Sequence, residues 1–406
     1  PSAFTRERKL PFHRLCLIMI WNLRAALHLD LERFYDQIDA DTLCPDPSAF
    51  SKARIHLKAS AFRVINDQLV EIAGEFGLRD NTWHGLRLLA VDGSTLRLPK
   101  ASPKIAAHFG GLTSRHGTFL PMARMSYLYE VRTDLVIDAR ISPYDEGDQA
   151  HAHELIGGNV WEDDCVLFDR GYNDPRIIAW SIAQDSHFVI RVTVGNSKAA
   201  QDFVESGKSE CEFTLTFADD LIEEFKGHGM AIPKTVRLRF VRVLLDTGEV
   251  EVLLTNLIDR DKYRAEEFKA LYHERWDVEE GIKTSKCKIE IENWTGKSVT
   301  SVEQDFYARV LCQNISASLA LTAQPALDEE TKECRGNYQI NMKRAIGVIR
   351  DQFCQLVKAT NQQLRELLNR ISRRLIKSAC IVRPGRSYPR GTPRRIPPSM
   401  PYKPIV

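Results

Sequence analysis

Residues 271–286, LYHERWDVEEGIKTSK, are the stretch of this chain that decides its fold. At about 100° per residue, four of its polar side chains fall within about 60° of one another on a single helix face. These are Tyr272, Arg275, Glu279 and Lys286. The neighbouring apolar stripe consists of Leu271, Val278, Ile282 and Ile289. The stretch therefore predicts one helix that docks on a core and presents a carboxylate together with cations.

This polar face suits phosphodiester chemistry. Glu279 offers a carboxylate to a divalent metal ion, while Arg275 and Lys286 can neutralise phosphate oxygens. A single charge pattern of this kind is equally typical of a solvated helix face held by salt bridges. The choice between the two interpretations depends on carboxylates elsewhere in the sequence.

Two aspartates upstream follow apolar runs that have the composition of strands. Residues 86–98, LRLLAVDGSTLRL, carry Asp92 before a Gly-Ser turn signal, and residues 165–174, CVLFDRGYND, carry Asp169. Each aspartate alone is weak evidence, because solvated carboxylates are common at strand ends. Together with Glu279 they match an acidic triad that binds two Mg²⁺ or Mn²⁺ ions, about 3.5 to 4 Å apart, in RNase H-like enzymes.

The combined motifs resemble those of bacterial insertion-sequence DDE transposases, specifically the family with a Tyr-Arg-Glu-Lys signature. Two, three and six residues intervene between the successive signature residues, as in the family. Asp169 begins a similar Asp-Arg-Gly sequence. Other stretches resemble the same family, and the likeness runs over almost the whole chain. These are FTRERKLPF near the N-terminus, SAFSKARIHL at 48–57 and CIVRPGRSYPR at 380–390.

The resemblance implies a fold and an activity. The fold would be α/β (α+β), with an RNase H-like catalytic core, an inserted β subdomain, and helical regions at both ends. Asp92, Asp169 and Glu279 would hold two Mg²⁺ or Mn²⁺ ions. The activity would be cut-and-paste transposition: cleavage at both transposon ends, often through a hairpin intermediate, and joining of the 3′ ends to a target.

The resemblance also implies partners and a location. Double-stranded DNA would be bound both as transposon ends and as target, and two protomers would form a homodimer in the synaptic complex. The protein would be cytoplasmic and associated with the nucleoid when it acts. Two alternatives stay open: a metal-dependent nuclease of the same fold that cuts without joining, and a domesticated, inactive transposase that only binds DNA. The presence of all three acidic residues argues against catalytic decay.

Several side chains are candidate DNA contacts. Tyr272, Arg275 and Lys286 are expected to meet phosphates near the scissile bond. The further candidates are Arg170, Lys283, Arg115, Arg54 and Arg386. Arg115 lies in a glycine-containing loop, Arg54 in a basic helical region, and Arg386 in a proline-rich tail that follows the last acidic residue. For each, a solvated surface position is the alternative.

The sequence pattern divides the chain into five segments. They are an N-terminal helical DNA-binding region (1–80), the first part of the core (81–195), the inserted β subdomain (196–258), the second part of the core with the catalytic helix (259–325), and C-terminal helices with a basic tail (326–406). Residues 12–35 are predicted to form one amphipathic helix. Further helices are predicted near 147–158, 174–185, 306–323 and 339–376.

Strands are predicted from β-branched and apolar runs. In the core they are 86–91, 94–98, 120–131, 134–141, 164–169 and 187–193, and in the insertion 211–217, 235–245 and 249–257. In some relatives a tryptophan of the insertion stacks on a flipped base, but residues 181–275 contain none. The candidate replacements are Phe203, Phe213, Phe217 and Phe225, each of which is also a candidate core residue.

Composition limits the remaining possibilities. The net charge of +2 over 406 residues is almost neutral, so contact with nucleic acid must come from local basic patches. The nine cysteines include no Cys-x-x-Cys pair and are expected to be reduced thiols. His151 and His153 resemble half of a zinc site, but no second ligand pair follows at a suitable distance.

Overall fold

The computed structural model of the protein describes residues 10–21, 25–38, 43–100, 102–114 and 117–382. The α-helices are α1 Phe12–Ile20, α2 Leu27–Ile38, α3 Pro47–Arg54, α4 Ser60–Glu75, α5 Pro103–Phe109, α6 Asp148–Ile156, α7 Pro175–Ala183, α8 Lys198–Glu205, α9 Asp219–Gly227, α10 Phe268–Glu274, α11 Asp277–Thr284, α12 Val299–Glu330, α13 Met342–Lys358 and α14 Asn361–Ile376. Within these described residues, no helix is both long and apolar enough to cross a membrane.

The strands follow the runs predicted from the sequence. They are β1 Arg87–Arg97, β2 Gly111–Thr113, β3 Phe119–Glu130, β4 Leu135–Pro143, β5 Asp164–Phe168, β6 His187–Val192, β7 Glu210–Thr216, β8 Thr235–Leu244, β9 Val250–Thr255, β10 Tyr338–Gln339 and β11 Cys380–Ile381. The predicted strands of the core and of the insertion are confirmed, with one difference. The turn expected after Asp92 is absent, and a single strand, β1, continues through it.

The chain forms two compact units. The sheet unit contains Arg79–Ser94 and Arg124–Ile282. The helical unit contains the described residues of Pro1–Leu78, Thr95–Ala123 and Lys283–Val406. Each unit is therefore assembled from segments that lie far apart in the sequence.

The sheet unit is built on a mixed β-sheet. Its strands lie in the order β3-β1-β5-β6-β9-β8-β7, and β4 also pairs with β3. β1, β5 and β6 are parallel, whereas β6, β9, β8 and β7 pair antiparallel in turn. Parallel neighbours require a crossover connection, which α7 provides between β5 and β6. This mixed sheet with helices confirms the predicted α/β class.

The predicted insertion extends this same sheet. β9 pairs with β6 along Val189–Val192, and β8 and β7 add outward from it. The segment also contains α8 and α9, which the β pattern of the sequence did not predict. The strands of the insertion therefore continue the core sheet, and each is hydrogen-bonded to the next strand in the order β6-β9-β8-β7.

The helical unit packs around α12. A buried cluster joins side chains of α1 to α4 with α12 and α13, among them Phe34, Phe50, Phe62 and Leu311. A second cluster joins α12, α13 and α14 through Ala323, Val348, Ile371 and Leu375. A capping box in which the Ser298 hydroxyl accepts from the Ser301 N–H starts α12. All nine cysteines are free thiols, as predicted.

The single N-terminal helix predicted for residues 12–35 was wrong. α1 ends at Ile20, Trp21 lies in a turn, and α2 begins at Leu27. The side chain of Asp30, fully buried in the first turn of α2, accepts a hydrogen bond of 2.7 Å from the Ala25 N–H. This local bond starts a new helix where the apolar periodicity alone predicts continuation.

Candidate active site

The register of two parallel strands brings Asp92 and Asp169 together. Val91 of β1 is paired with Phe168 of β5. Neighbouring strands lie about 4.8 Å apart. Asp92 and Asp169 are the residues that directly follow Val91 and Phe168. The Gly93 N–H donates to Asp92 Oδ1 at 2.8 Å. Both predicted aspartates therefore lie side by side, Asp92 within β1 and Asp169 directly after β5.

The predicted catalytic helix is interrupted. α10 ends at Glu274, and α11 begins only at Asp277. In between, the N–H groups of Arg275 and Trp276 bond to carbonyls three residues earlier, as in a 3₁₀ turn, which winds about 120° per residue instead of 100°. After α11 the chain continues as a π-helical turn, Ser285–Ile289. The single uninterrupted helix predicted from the sequence was therefore wrong.

A chain of contacts nevertheless links three signature residues to the strand end. The Tyr272 hydroxyl donates to the Phe168 carbonyl at 3.1 Å. The Arg275 guanidinium lies 5.8 Å from the centre of the Tyr272 ring, and its Nη2 donates to Glu279 Oε1 at 3.0 Å. Arg275 consequently holds Glu279 and packs on Tyr272. Tyr272 in turn is hydrogen-bonded to Phe168, the residue before Asp169.

The role expected for Tyr272 changes with this geometry. Its hydroxyl proton is used by the Phe168 carbonyl, and the residue is only 9% exposed. Burial raises the pKa of the Tyr272 phenol well above its usual range. The expected hydrogen bond from this hydroxyl to a phosphate was therefore wrong, because a buried phenol bonded to a strand end positions other groups instead.

Close packing fixes α11 against the sheet. A methyl group on Gly281 would lie 2.5 Å from Cε2 of Tyr129 in β3. The Tyr129 ring is fully buried, and its hydroxyl donates to Asp134 Oδ1 at 2.7 Å. Only glycine allows this approach, which sets the distance between α11, carrying Glu279, and the sheet.

The site is strongly acidic. The pKa of Asp92 is raised to about 6, chiefly by burial, and further by the charges of Glu279 and Asp169, while the Gly93 N–H and Arg275 oppose the rise. The carboxylates of Asp92, Asp169 and Glu279 are oxygen donors of the kind suited to a hard cation such as Mg²⁺. A bound divalent cation would remove the repulsion that raises this pKa.

The side chains are not arranged as a closed metal cluster. Across the described ranges, no group of three or more His, Cys, Asp or Glu side chains lies close enough to hold a metal ion as placed. Glu279 is engaged by Arg275 and is about one-third exposed. As placed, the Glu279 carboxylate is part of an ion pair with Arg275.

A further carboxylate, which the sequence did not reveal, lies beside Gly93, the residue that follows Asp92 in β1. A methyl group on Gly93 would be 2.6 Å from Asp148 Oδ1 and 2.9 Å from Ser126 Oγ. Asp148 begins α6 and pairs with Arg124 at 3.0 Å. The Asp-Gly dipeptide at 92–93 was the available signal, since a glycine inside a strand often marks a close approach of other groups.

His151 lies in the interior of the sheet unit, next to Ser126. Its Nδ1 lies 2.8 Å from Ser126 Oγ and its Nε2 lies 2.5 Å from Ser142 Oγ. The side chain is fully buried, and burial lowers the pKa of the imidazole. With both ring nitrogens engaged by hydroxyl groups, His151 connects α6 with β3 and β4, a structural arrangement.

Lys286 belongs to the helical unit. Its Nζ donates to the Thr95 carbonyl at 2.7 Å, and burial lowers the pKa of the ammonium. Lys286 lies in the π turn that follows α11, and its position on one face with Glu279 stays a prediction. Lys283, at the end of α11, is exposed, and its predicted contact with DNA stays a prediction, as does that of Lys286.

Arg54 is not the exposed cation expected from its basic surroundings. Its guanidinium is 5% exposed and donates to Gln304 Oε1 at 2.8 Å and to Asp305 Oδ1 at 2.9 Å. Asp305 also accepts from the Thr295 N–H at 2.6 Å. This buried network joins α3 to α12 within the helical unit, so we no longer expect Arg54 to contact DNA.

The remaining candidate DNA contacts are Arg170, Arg115 and Arg386. Arg170 is exposed in a single 3₁₀ turn directly after Asp169, and its role as a phosphate contact stays a prediction. Arg115 and Arg386 lie outside the described residues.

The aromatic residues proposed as base-stacking replacements are mostly internal. Phe203, Phe217 and Phe225 are at most 3% exposed. Phe213 stacks on Phe240 with ring centres 4.4 Å apart. The three buried rings were wrong candidates, because a core side chain offers no free face to a base.

Comparison with known proteins gives a consistent group of relatives. A family model described as "Transposase DDE domain" matches residues 83–315, which include all three acidic residues. "Transposase InsG for insertion sequence element IS4" of Escherichia coli (strain K12) is 25% identical over 317 residues, covering 76% of this chain and 70% of that protein. "Putative transposase InsZ" of the same organism is 25% identical over 126 residues, covering 30% and 41%.

A likeness to a solved structure covers more of the chain at lower identity. It is the cryo-EM structure of a piggyBac transposase synaptic complex with hairpin DNA. The TM-score is 0.41 at 10% identity, over 88% of this chain and 74% of that chain.

Proposed function

Because the chain belongs to the family of transposases that carry a DDE domain, we propose that it catalyses cut-and-paste movement of a bacterial insertion sequence. The observation that carries this proposal is the paired register of β1 and β5, which puts Asp92 and Asp169 side by side. Glu279 is connected to the end of β5 by contacts that run through Arg275 and Tyr272. A DNA-cleaving and strand-transfer enzyme needs such a concentration of carboxylates.

The proposed cofactor is a pair of divalent cations, Mg²⁺ or Mn²⁺, held by Asp92, Asp169 and Glu279. When bound, these ions would activate the attacking oxygen and stabilise the leaving one. The residues themselves supply oxygen ligands from within β1, from the residue after β5 and from α11. Burial at Asp92 keeps water away from part of the site, which strengthens electrostatic interactions there.

Arg275 has two tasks in this proposal. In the structure it orients the Glu279 carboxylate with one N–H group. A guanidinium carries five N–H donors, so Arg275 could also donate to a DNA phosphate with N–H groups that Glu279 does not use. Arg170, exposed directly after Asp169, is proposed as a second phosphate contact.

The domain arrangement is also proposed by analogy with the family. The parallel strands β1, β5 and β6 with their helices suit an RNase H-like core, and the strands of residues 196–258 form the insertion. We propose that the insertion handles the transposon end and that residues 1–80 with the C-terminal region 326–406 contribute DNA binding. Two protomers would synapse two ends, and the protein would act on DNA of the bacterial nucleoid.

A joining assay tests the activity. Purified protein is incubated with Mg²⁺, a pre-cleaved transposon end and a supercoiled plasmid. We expect joined products in which the end's 3′ hydroxyl is linked to plasmid DNA. Hydrolysis of the end without joining would instead support the alternative of a metal-dependent nuclease, and binding without either reaction would support a domesticated, inactive transposase.

Substitution of the acidic residues tests the site. Asp92→Asn, Asp169→Asn and Glu279→Gln should each reduce cleavage by at least about a hundredfold, since loss of metal-based charge stabilisation costs several kcal/mol. Binding of the uncleaved end should persist. Glu280→Gln, one position along on the exposed side of α11, is the matched control and should retain cleavage. Full activity of Glu279→Gln would exclude the assignment.

A further inference from the structure

Helix α14 presents a mostly basic face that includes one carboxylate, Glu366. Its exposed cations are Arg365, Arg370, Arg373, Arg374 and Lys377. At about 100° per residue these occupy one half of the helix circumference. The opposite half carries Leu367, Ile371 and Leu375, which are buried in the cluster with α12 and α13. The helix therefore points its charges away from the core on which it is fixed.

The helix is anchored at both ends. At its start, the Thr360 N–H and hydroxyl bond to the side chain of Gln363 in a capping box. After its end, β11 pairs with β10, and the Val382 N–H donates to the Asn337 carbonyl at 2.8 Å. The basic face thus stands on a rigid element, which limits the entropy lost when a partner binds it.

The cations of α14 differ from other surface cations in their partners. Within the part of the chain that the structure describes, none of the five forms an ion pair with a carboxylate, and Arg373 donates only to the Asn369 carbonyl. By contrast, four surface lysines of the sheet unit are paired with carboxylates. These pairs are Lys198–Asp202, Lys226–Glu223, Lys234–Asp219 and Lys269–Asp246.

The sequence beyond the helix continues this charge imbalance. From residue 367 to residue 406 there are ten basic residues and no acidic residue. A surface meant only to be soluble carries charges of both signs. A concentration of one sign on a fixed helix instead fits an extended partner of opposite charge.

We propose that the basic face of α14 binds the phosphate backbone of double-stranded DNA without regard to sequence. The helix spans about 18 Å from Arg365 to Lys377 at about 1.5 Å per residue, which matches roughly five phosphates at about 3.4 Å of axial rise per strand. Four of the five cations are arginines, which bind phosphate oxygens in a bidentate manner. The proposal rests on the proposed function for its choice of DNA as the polyanion.

Salt-dependent binding tests this face. A variant with Arg370→Gln, Arg373→Gln, Arg374→Gln and Lys377→Gln is compared with the unmodified protein on duplex DNA from 50 to 200 mM salt, in chelator. The slope of log K against log salt should become shallower by roughly 0.9 for each phosphate that the variant no longer neutralises, so by roughly 3 to 4 in total. The reduction in affinity should be equal for a transposon end and for an unrelated duplex.

Matched controls separate this face from net charge and from folding. Lys198→Gln, Lys226→Gln, Lys234→Gln and Lys269→Gln together remove the same charge from ion-paired positions and should change the slope by less than one. Cations near a helix C-terminus also stabilise the helix dipole, so the single variant Arg370→Gln, away from the last turn, is measured too. It should reduce the slope by about 0.9 while the melting temperature stays the same.

The outcomes decide the proposal. An unchanged slope in a folded α14 variant, or an equal change in the charge-matched control, would overturn it. So would weaker binding to anionic phospholipid vesicles with no weakening for duplex DNA. Because binding is measured without metal, a protein that shows the slope change but no cleavage would leave this inference standing and reject the proposed function.

Discussion

The burial of Asp92 in the candidate site lowers the stability of the folded protein when this carboxylate is ionised. Its folded pKa of about 6 lies above the value of about 3.9 for an unfolded chain. The folded state therefore binds more protons than the unfolded state between these two pH values. Stability linked to Asp92 is full below about pH 4 and is lost as the pH rises to about 6.

Neutralising this residue should therefore stabilise the metal-free protein. We expect Asp92→Asn to raise the free energy of unfolding by at most about 2 kcal/mol at pH 8 in chelator and to have almost no effect at pH 4. Urea unfolding at the two pH values measures the difference. Asp163→Asn, an exposed neighbour of β5, should be neutral at both, and an unstabilised Asp92→Asn at pH 8 would contradict the assignment of a charge-strained site.

Arg54 illustrates the opposite use of charge at the residue scale. It and Asp305 are both at most 5% exposed, and removing one partner leaves the other buried without its counter-charge. Arg54→Ala should destabilise the protein by about 3 kcal/mol, whereas Lys52→Ala, exposed on the same helix, should change stability by less than about 0.5 kcal/mol. Thermal unfolding gives both values. A fall in DNA affinity with unchanged stability would restore the original expectation of a DNA contact.

At the scale of elements, α11 depends on the absence of a side chain. Gly281 faces the Tyr129 ring, which cannot withdraw because its hydroxyl is bonded to Asp134. Helix propensity alone favours alanine over glycine by about 1 kcal/mol. Packing therefore opposes propensity at this position, and the expected sign of a substitution is decided by the tertiary contact.

We expect Gly281→Ala to destabilise the sheet unit by about 1 to 3 kcal/mol through overpacking. It should also lower cleavage, because the added methyl group would displace α11 from Tyr129 and Glu279 would shift with the helix. Gly347→Ala in α13 is the matched control, since a methyl group there meets nothing within 4 Å, and it should stabilise by about 0.5 to 1 kcal/mol. Chemical denaturation and a cleavage assay on both variants provide the comparison. Stabilisation by both substitutions would show that Tyr129 is free to move.

At the scale of the whole molecule, the site exists only after folding. Asp92, Asp169 and Glu279 come from two strands and a helix that are far apart in the chain, so a cation that needs all three has little affinity for the unfolded state. Binding then stabilises the folded protein by mass action. Burial of Asp92, together with the repulsion between it and the other carboxylates, lowers stability without metal, and both effects favour a bound cation.

Divalent ions should therefore reverse the order of stability. At about one hundred times the dissociation constant, Mg²⁺ or Mn²⁺ should stabilise the unmodified protein by about 2.7 kcal/mol and Asp92→Asn much less, so the variant that is more stable in chelator gains least from metal. Thermal unfolding with Mg²⁺, with Mn²⁺ and with Ca²⁺ tests this. An equal shift in the unmodified protein and the variant would place the ion elsewhere.

The sequence by itself determined the elements that depend on local pattern. β1, β5 and β6 were predictable because apolar β-branched runs bounded by turn residues specify strands locally. Asp92, Asp169 and Glu279 were identifiable because their types and order match the family, although their shared location rests on strand register. The reduced cysteines and the strands of the insertion were predictable for the same local reasons.

Only the tertiary structure decided how the side chains are used. The break after Glu274, the bond from Tyr272 to the Phe168 carbonyl, the burial of Arg54 and the approach of Asp148 to Gly93 all involve partners distant in sequence. Periodicity carries no information about which distant group fills a given space. A hydrogen bond or a steric contact made across the fold contributes as much free energy as local propensity does, and so it can redirect a helix or bury a charge that local sequence leaves exposed.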